Sequence, residues 1–432
     1  GTFLSIPVLL LANAPALWKL IDINSLLKTL IIILLALYTL VFMFKSHGRK
    51  GSHGKIRRLD SGAFVLGCGV LQSVIQLIIV IALCFTKLNG WRLLCAYAIT
   101  TLLCLSGIVR IAASARQVKI LWYVILLFTW YIPFVNCIVF RKFHKAARSE
   151  YYFEQAKLDL DAARKENEIC KTKYPILMVH GIFFRDWQVI NYWGRVPNEL
   201  IRNGAEVYYG KQQSANKVSV SATEVAERIK EVIAETGAEK VNIIAHSKGG
   251  LDSRYAISHL GMDKYVATLT TINTPHYGCK FVDMLLGKIP ESIQGFVDRK
   301  YNKLFTALGD KDPSFLDGVY DLTYKNCSEL NASTPDSRLV SYRSVMSKMN
   351  SIRSAGFPLN IGYLLNKPYG KGNDGLVTVE SGLYGENSKM IEHKGKRGIS
   401  HGDVIDLFRE NIKDFDVREF YVDIVKKLKE QG

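Results

Sequence analysis

Four apolar runs in the first third of the chain, 26–44, 62–85, 91–113 and 118–140, constrain its folding more than anything else in the sequence. Each is close to the ~20 residues that carry a helix across the ~30 Å hydrocarbon core of a bilayer. A helix in a soluble core keeps a polar stripe, and these runs keep none over that length. They read as membrane spans. A fifth run, 3–18, is interrupted by Pro7 and Pro15 and stays open between a span, a re-entrant segment and a remnant of processing. Because the chain opens at Gly1 rather than Met, its true start is also open.

The formal charge of +17 would ordinarily point to nucleic acid or an anionic surface. Most of the excess lies in residues 1–150, where only Asp22, Asp60 and Glu150 oppose it, and it flanks the apolar runs. No stretch interleaves basic and aromatic residues as a nucleic-acid groove would, so no nucleic-acid partner is expected. Lys45, Arg49, Lys50, Lys55, Arg57 and Arg58 separate the first two runs, and Arg116 and Lys119 lie between the third and fourth, with Arg110 just inside the third. The positive-inside rule puts these loops in the cytoplasm. Four crossings then place everything after the fourth run outside it. Arg141, Lys142, Lys145 and Arg148, directly after that run, disagree with this assignment.

Five of the eight cysteines (Cys68, Cys84, Cys95, Cys104 and Cys137) sit in apolar runs, where Cys behaves as a small hydrophobe. Cys170, Cys279 and Cys327 have no metal-ligand spacing, and a Cys279–Cys327 bridge is not deducible from sequence. Residues 141–173 turn polar, with mixed charges and good helix formers, and read as a helical stalk or linker. From 174 onward short apolar runs alternate with helical patterns. YPILMVH, AEVYYG (205–210), KVNIIAHS and YVATLTTINTP read as strands. Ser221-Ala-Thr-Glu224 reads as a capping box opening a helix that Gly237 closes. Such alternation predicts a mainly parallel sheet covered on both faces.

Ala245-His246-Ser247-Lys248-Gly249-Gly250 falls between one of these strands and the helix expected over 248–259. A serine flanked by small residues two positions away on each side marks a turn sharp enough to thrust the hydroxyl above the sheet. The helix N-terminus beneath it favours negative charge. A serine needs a base to take its proton and an acid to orient that base, in the chain order Ser, Asp, His for this kind of turn. Asp374 in GNDGLV and His401 in ISHGD, before an expected helix VIDLFRENI, fill those positions. His393 competes with His401 from a basic, solvated loop. Asp403 competes with Asp374 but stands too near His401 in sequence. Backbone N–H groups of Lys248 and of Ile182, in the loop His180-Gly181-Ile182-Phe183, are the expected oxyanion donors. His180, His246 and His276 read as structural.

On these motifs residues 174–432 resemble the bacterial triacylglycerol lipases of the α/β-hydrolase superfamily. YPILMVHGIF is similar to that family's first strand and oxyanion loop, and YWGRVPNELIRNGAEVYY to the helix and strand that follow. AHSKGG resembles the elbow, TINTPHYG the strand after it, and NDGLV with SHGD the acid and histidine loops. The resemblance implies an α/β-hydrolase fold and the triad Ser247, Asp374 and His401; the apolar runs place before it an all-α transmembrane region of four or five helices. It implies an esterase acting on a lipid or ester, with no cofactor, which the apolar runs would embed in a membrane. A structural calcium stays open: family members often hold one through two aspartates, and only Asp403 matches. Residues 281–308 stand where such lipases carry a mobile lid, with Ile289, Ile293, Phe296 and Leu304 among their apolar side chains; ordinary core helices are the other reading of this stretch. Phospholipase or acyltransferase action, a non-catalytic membrane protein on the same fold, and a transport role for the spans are the rival readings. The family does not explain residues 1–150, and oligomeric state is not legible.

Overall fold

A computed structural model of the chain describes residues 2–18, 21–50, 54–82, 90–130, 132–182, 191–213 and 215–431. The chain divides into two compact units, Gly1–Ala162 and Ala163–Gly432.

In the first unit three helices among the described residues are long and apolar enough to cross a membrane. They are α1 (Ser25–Phe44), α2 (Gly54–Ala82) and α3 (Gly90–Ala112). The end of the second apolar run, 83–85, lies outside the described residues. The fourth run differs from the single span expected of it. It forms α4 (Ile120–Thr129) and the start of α5 (Pro133–Arg164). The cause is local: proline has no N–H to donate and disfavours helical geometry at Ile132 before it. Asn136 restrains the break, its side chain donating to the Trp130 carbonyl. From there α5 continues without interruption through the expected boundary at 140 into the polar stalk. The 3–18 run forms only short helices, Ile6–Ala12 and Ala14–Leu17, both below crossing length.

The second unit is built on a six-stranded parallel sheet in the order β2-β1-β3-β4-β5-β6. The strands are β1 (Ile176–Val179), β2 (Val207–Tyr209), β3 (Val241–His246), β4 (Val266–Ile272), β5 (Ser341–Met346) and β6 (Ser388–Met390). Alternation along the central strands feeds two cores. Ile176, Met178 and Ile244 pack with α6 (Val196–Arg202) and the C-terminal helix Val417–Gln431. Leu177, Val179, Ile243 and Ala245 pack with α7 (Val218–Thr236) and α8 (Lys248–His259). This is the α/β-hydrolase arrangement expected from the sequence, with a helix-covered sheet whose strand ends present loops.

Two local expectations need correction. The helix α7 starts at Val218, not at the Ser221 capping box, and the Asp321 carboxylate caps the Val218 N–H at 2.6 Å. Ser221 instead accepts from the Lys248 ammonium, and Glu224 from Gln213. The helix expected at VIDLFRENI is a single 3₁₀ turn, Asp403–Ile405. It stops at Asp406, which has a left-handed backbone (φ 56°) and a carboxylate gripped by Arg195 at 2.8 Å through two guanidinium nitrogens. A tertiary ion pair overrides local helical preference there.

Candidate active site

Ser247 stands between β3 and α8 with φ 54° and ψ −131°. L-residues rarely adopt that conformation, which costs ~1–3 kcal/mol and persists only where the surroundings enforce it. The small neighbours are needed as expected. Ala245 is fully buried, and any side chain at Gly249 would collide with the His180 carbonyl. The loop after β1 passes equally close: a β-carbon at Gly181 would lie 2.8 Å from that of Ser247. Ile182 follows, its side chain packed with Val218, Leu251 and Phe305. Phe183 lies outside the described residues. The Lys248 ammonium turns away to Asp252 (2.7 Å) and Ser221 (3.0 Å). Burial raises the Asp252 carboxyl to about 6, against the pull of Lys248.

Asp374 and His401 meet across two loops. His401 Nδ1 lies 2.6 Å from Asp374 Oδ2, and the His401 N–H donates to the Asp374 carbonyl at 2.8 Å. Asp374 is fully buried, and its other carboxylate oxygen accepts from the backbone of Leu376 (2.9 Å) and Val377 (2.8 Å). Ser247 and His401 are nearly buried, each 7% exposed.

Two residues that sequence reasoning missed complete the surroundings. Asn273, just beyond β4 with φ 48°, donates to Asp374 Oδ2 at 2.6 Å while its own oxygen accepts from the Ser347 N–H at 2.9 Å. Its place at the C-terminal end of a parallel strand, inside TINTP, was the available signal. The Tyr192 hydroxyl accepts from the Gly181 N–H at 3.0 Å and hydrogen-bonds to His246 Nδ1 at 2.6 Å. The His246 ring centroid lies 4.5 Å from that of His401. Burial, reinforced by His401, pushes the His246 pKa well below the usual histidine value. His246 is therefore neutral, so it does not oppose a positive charge on His401.

The competitors go elsewhere. His393 Nδ1 accepts from the Gly395 N–H at 3.2 Å, and its Nε2 donates to the Lys413 carbonyl at 2.9 Å. Asp403 is held by both terminal nitrogens of Arg397 at 3.0 Å and by Ser400. That guanidinium supplies the positive charge a calcium ion would bring, so Asp403 does not fit a calcium site. His180 bridges the Gly181 and Gln212 carbonyls, and His276 stacks on Tyr384 at 4.5 Å. Cys279 and Cys327 are both buried free thiols.

Comparison with known proteins matches residues 173–289 to a family model described as putative serine esterase (DUF676). That stretch includes Ile182, Ser247 and Lys248, while Asp374 and His401 lie beyond it. A triacylglycerol lipase of Burkholderia plantarii is 32% identical over 190 residues, covering 41% of this chain and 52% of the relative. One from Pseudarthrobacter phenanthrenivorans is 32% identical over 180 residues, covering 39% and 56%. The chain thus spans about half the length of these curated relatives. The crystal structure of Bacillus licheniformis lipase BlEst2 in mature form is 22% identical, covering 55% of this chain and 88% of that one, with a TM-score of 0.42. Over residues 173–289 the chain is thus similar to a model described as putative serine esterase, and over about 40% of its length to curated triacylglycerol lipases.

Proposed function

We infer that the second unit hydrolyses carboxylic esters of apolar acids, anchored to a membrane by the first. The His401–Asp374 contact of 2.6 Å, in a unit whose Ser247 occupies a strained strand-to-helix turn, carries this reading. Ser247 Oγ attacks the ester carbonyl as His401 Nε2 takes its proton. Asp374, buried and fully hydrogen-bonded, fixes the His401 tautomer and stabilises the imidazolium that forms. Backbone N–H groups of Lys248 and Ile182 receive the oxyanion. His401 then protonates the leaving alcohol, and water activated by the same imidazole releases the acid from Ser247.

Apolar acyl chains are favoured by the region after β4. Residues 281–308 form α9 (Lys280–Lys288) and α10 (Glu291–Ala307). On α10, Phe305 is buried in the cluster that holds Ile182, while Ile293, Phe296 and Leu304 are exposed. One helix thus joins the oxyanion loop to an outward apolar surface, as a lipid-facing cover would. Hydrolysis of p-nitrophenyl esters from C2 to C16, comparing the full chain with Ser247→Ala, tests the reading. Serine-dependent activity rising toward long chains is expected, and its absence on every ester would overturn the assignment in favour of transfer to another acceptor or a non-catalytic role.

A further inference from the structure

The broken fourth run bears on which side of the membrane the chain emerges. In the first unit α4 and the start of α5 lie against each other in opposite directions. Tyr123 packs edge-on against Phe143 with ring centroids 4.7 Å apart, and the Lys142 ammonium sits 5.6 Å from the centre of the Trp122 ring. At the far end the Asn136 side chain ties the turn to the Trp130 carbonyl. With 10 residues, α4 is about 15 Å long, half the thickness of the hydrocarbon core.

The returning helix comes back to the level from which α4 departs. Val139, Phe143, Ala147 and Tyr151 pack with Leu59 and Ile111, at the start of α2 and the end of α3. Arg148 pairs with Asp60 at 2.8 Å. The Glu150 carboxylate accepts the backbone N–H groups of Arg116 and Gln117 at 3.0 Å, in the loop between α3 and α4. At that same level Arg110 donates to the Lys45 carbonyl at 3.0 Å and the Ser61 hydroxyl at 2.6 Å. The end of α1, the start of α2, the end of α3 and residues 148–150 therefore share one end of the helix bundle.

We propose that residues 120–143 are a re-entrant hairpin in the leaflet beside the basic loops, so that the chain crosses three times and the hydrolase unit stands in the cytoplasm. Its outer surface meets the acyl chains of that leaflet through Ile120, Leu121, Leu127 and Phe128, which are 61–79% exposed. This reverses the orientation expected from four crossings. It also removes the one discrepancy in that expectation, because Arg141, Lys142, Lys145 and Arg148 now join the other basic loops on the positive side. A fourth crossing would instead demand that the Arg148–Asp60 and Glu150–loop contacts break, since their partners would lie on opposite faces. The proposal stands apart from the chemistry assigned to Ser247.

The test is sidedness of two exposed positions in the full chain, Arg57 in the basic end of α2 and Glu386 in the hydrolase unit. Arg57→Cys and Glu386→Cys are expressed separately in intact cells and treated with a membrane-impermeant maleimide before and after permeabilisation, with the unsubstituted chain as background. Labelling of both only after permeabilisation is expected. Labelling of Glu386→Cys but not Arg57→Cys in intact cells would restore the fourth crossing and overturn the proposal. Labelling of both in intact cells would overturn the cytoplasmic placement. Neither result depends on esterase activity.

Discussion

Asn273 donates to the same Asp374 oxygen that faces His401, at 2.6 Å, and is itself fixed by Ser347. It holds the carboxylate in the one orientation that serves the histidine. A hydrogen bond to a charged group contributes ~1.5–3 kcal/mol, or roughly one to two orders of magnitude in rate. Asn273→Ala is expected to lower kcat by about that factor with little change in KM. An unchanged kcat in steady-state hydrolysis of a long-chain ester would show that the backbone donors of residues 376 and 377 suffice.

Tyr192 joins the loop after β1 to His246 through two hydrogen bonds. Tyr192→Phe leaves the Gly181 N–H and His246 Nδ1 without that partner in a buried site, at ~1–3 kcal/mol. Thermal unfolding should shift downward. Turnover should fall further than stability alone explains, because the oxyanion loop loses its restraint. Equal activity at a lowered midpoint would confine Tyr192 to a stabilising role.

Acid should destabilise the hydrolase unit in a defined window. Burial, with His401 or Arg254 beside them, holds His246 and His276 well below the usual histidine value. Unfolded, each takes up a proton below about pH 6.5; folded, neither does. The unfolded state therefore binds more protons there, so stability is full above that pH and falls on acidification, by at most ~1.4 kcal/mol per pH unit for each histidine. Unfolding midpoints of the full chain should drop below about pH 6.5, and His276→Gln should flatten the profile. A flat wild-type profile would contradict neutral burial.

Chelation should change nothing, since Arg397 already neutralises Asp403. Arg397→Ala should lower stability by ~1–3 kcal/mol, from the lost bonds to a nearly buried carboxylate. A fall in unfolding midpoint with EDTA, reversed by calcium, would contradict this.

Legibility tracked how local the determinants were. The first four strands are runs of apolar and β-branched residues between turn residues, and Ser247, Asp374 and His401 sit in short motifs. The outer strands escaped notice because SYRSVM and SKM are half polar and partly exposed, as befits the sheet's edge side. Hydropathy alone could not see the break between α4 and α5, since Trp130 and Ile132 are as apolar as their neighbours; Pro133 was the signal. Tyr192 and Asn273 act on partners 54 and 101 residues away, and only the fold brings them together.

An activated Ser247 nucleophile reacts with electrophiles that ordinary serines leave untouched. The direct measurement is covalent capture by a fluorophosphonate probe, with the modified residue located by peptide mass spectrometry in the wild-type chain, Ser247→Ala and His401→Ala. Modification at Ser247, none in Ser247→Ala, and a rate lowered by orders of magnitude in His401→Ala are expected. A folded wild-type chain that leaves Ser247 unmodified, or that reacts equally well without His401, would contradict that activation.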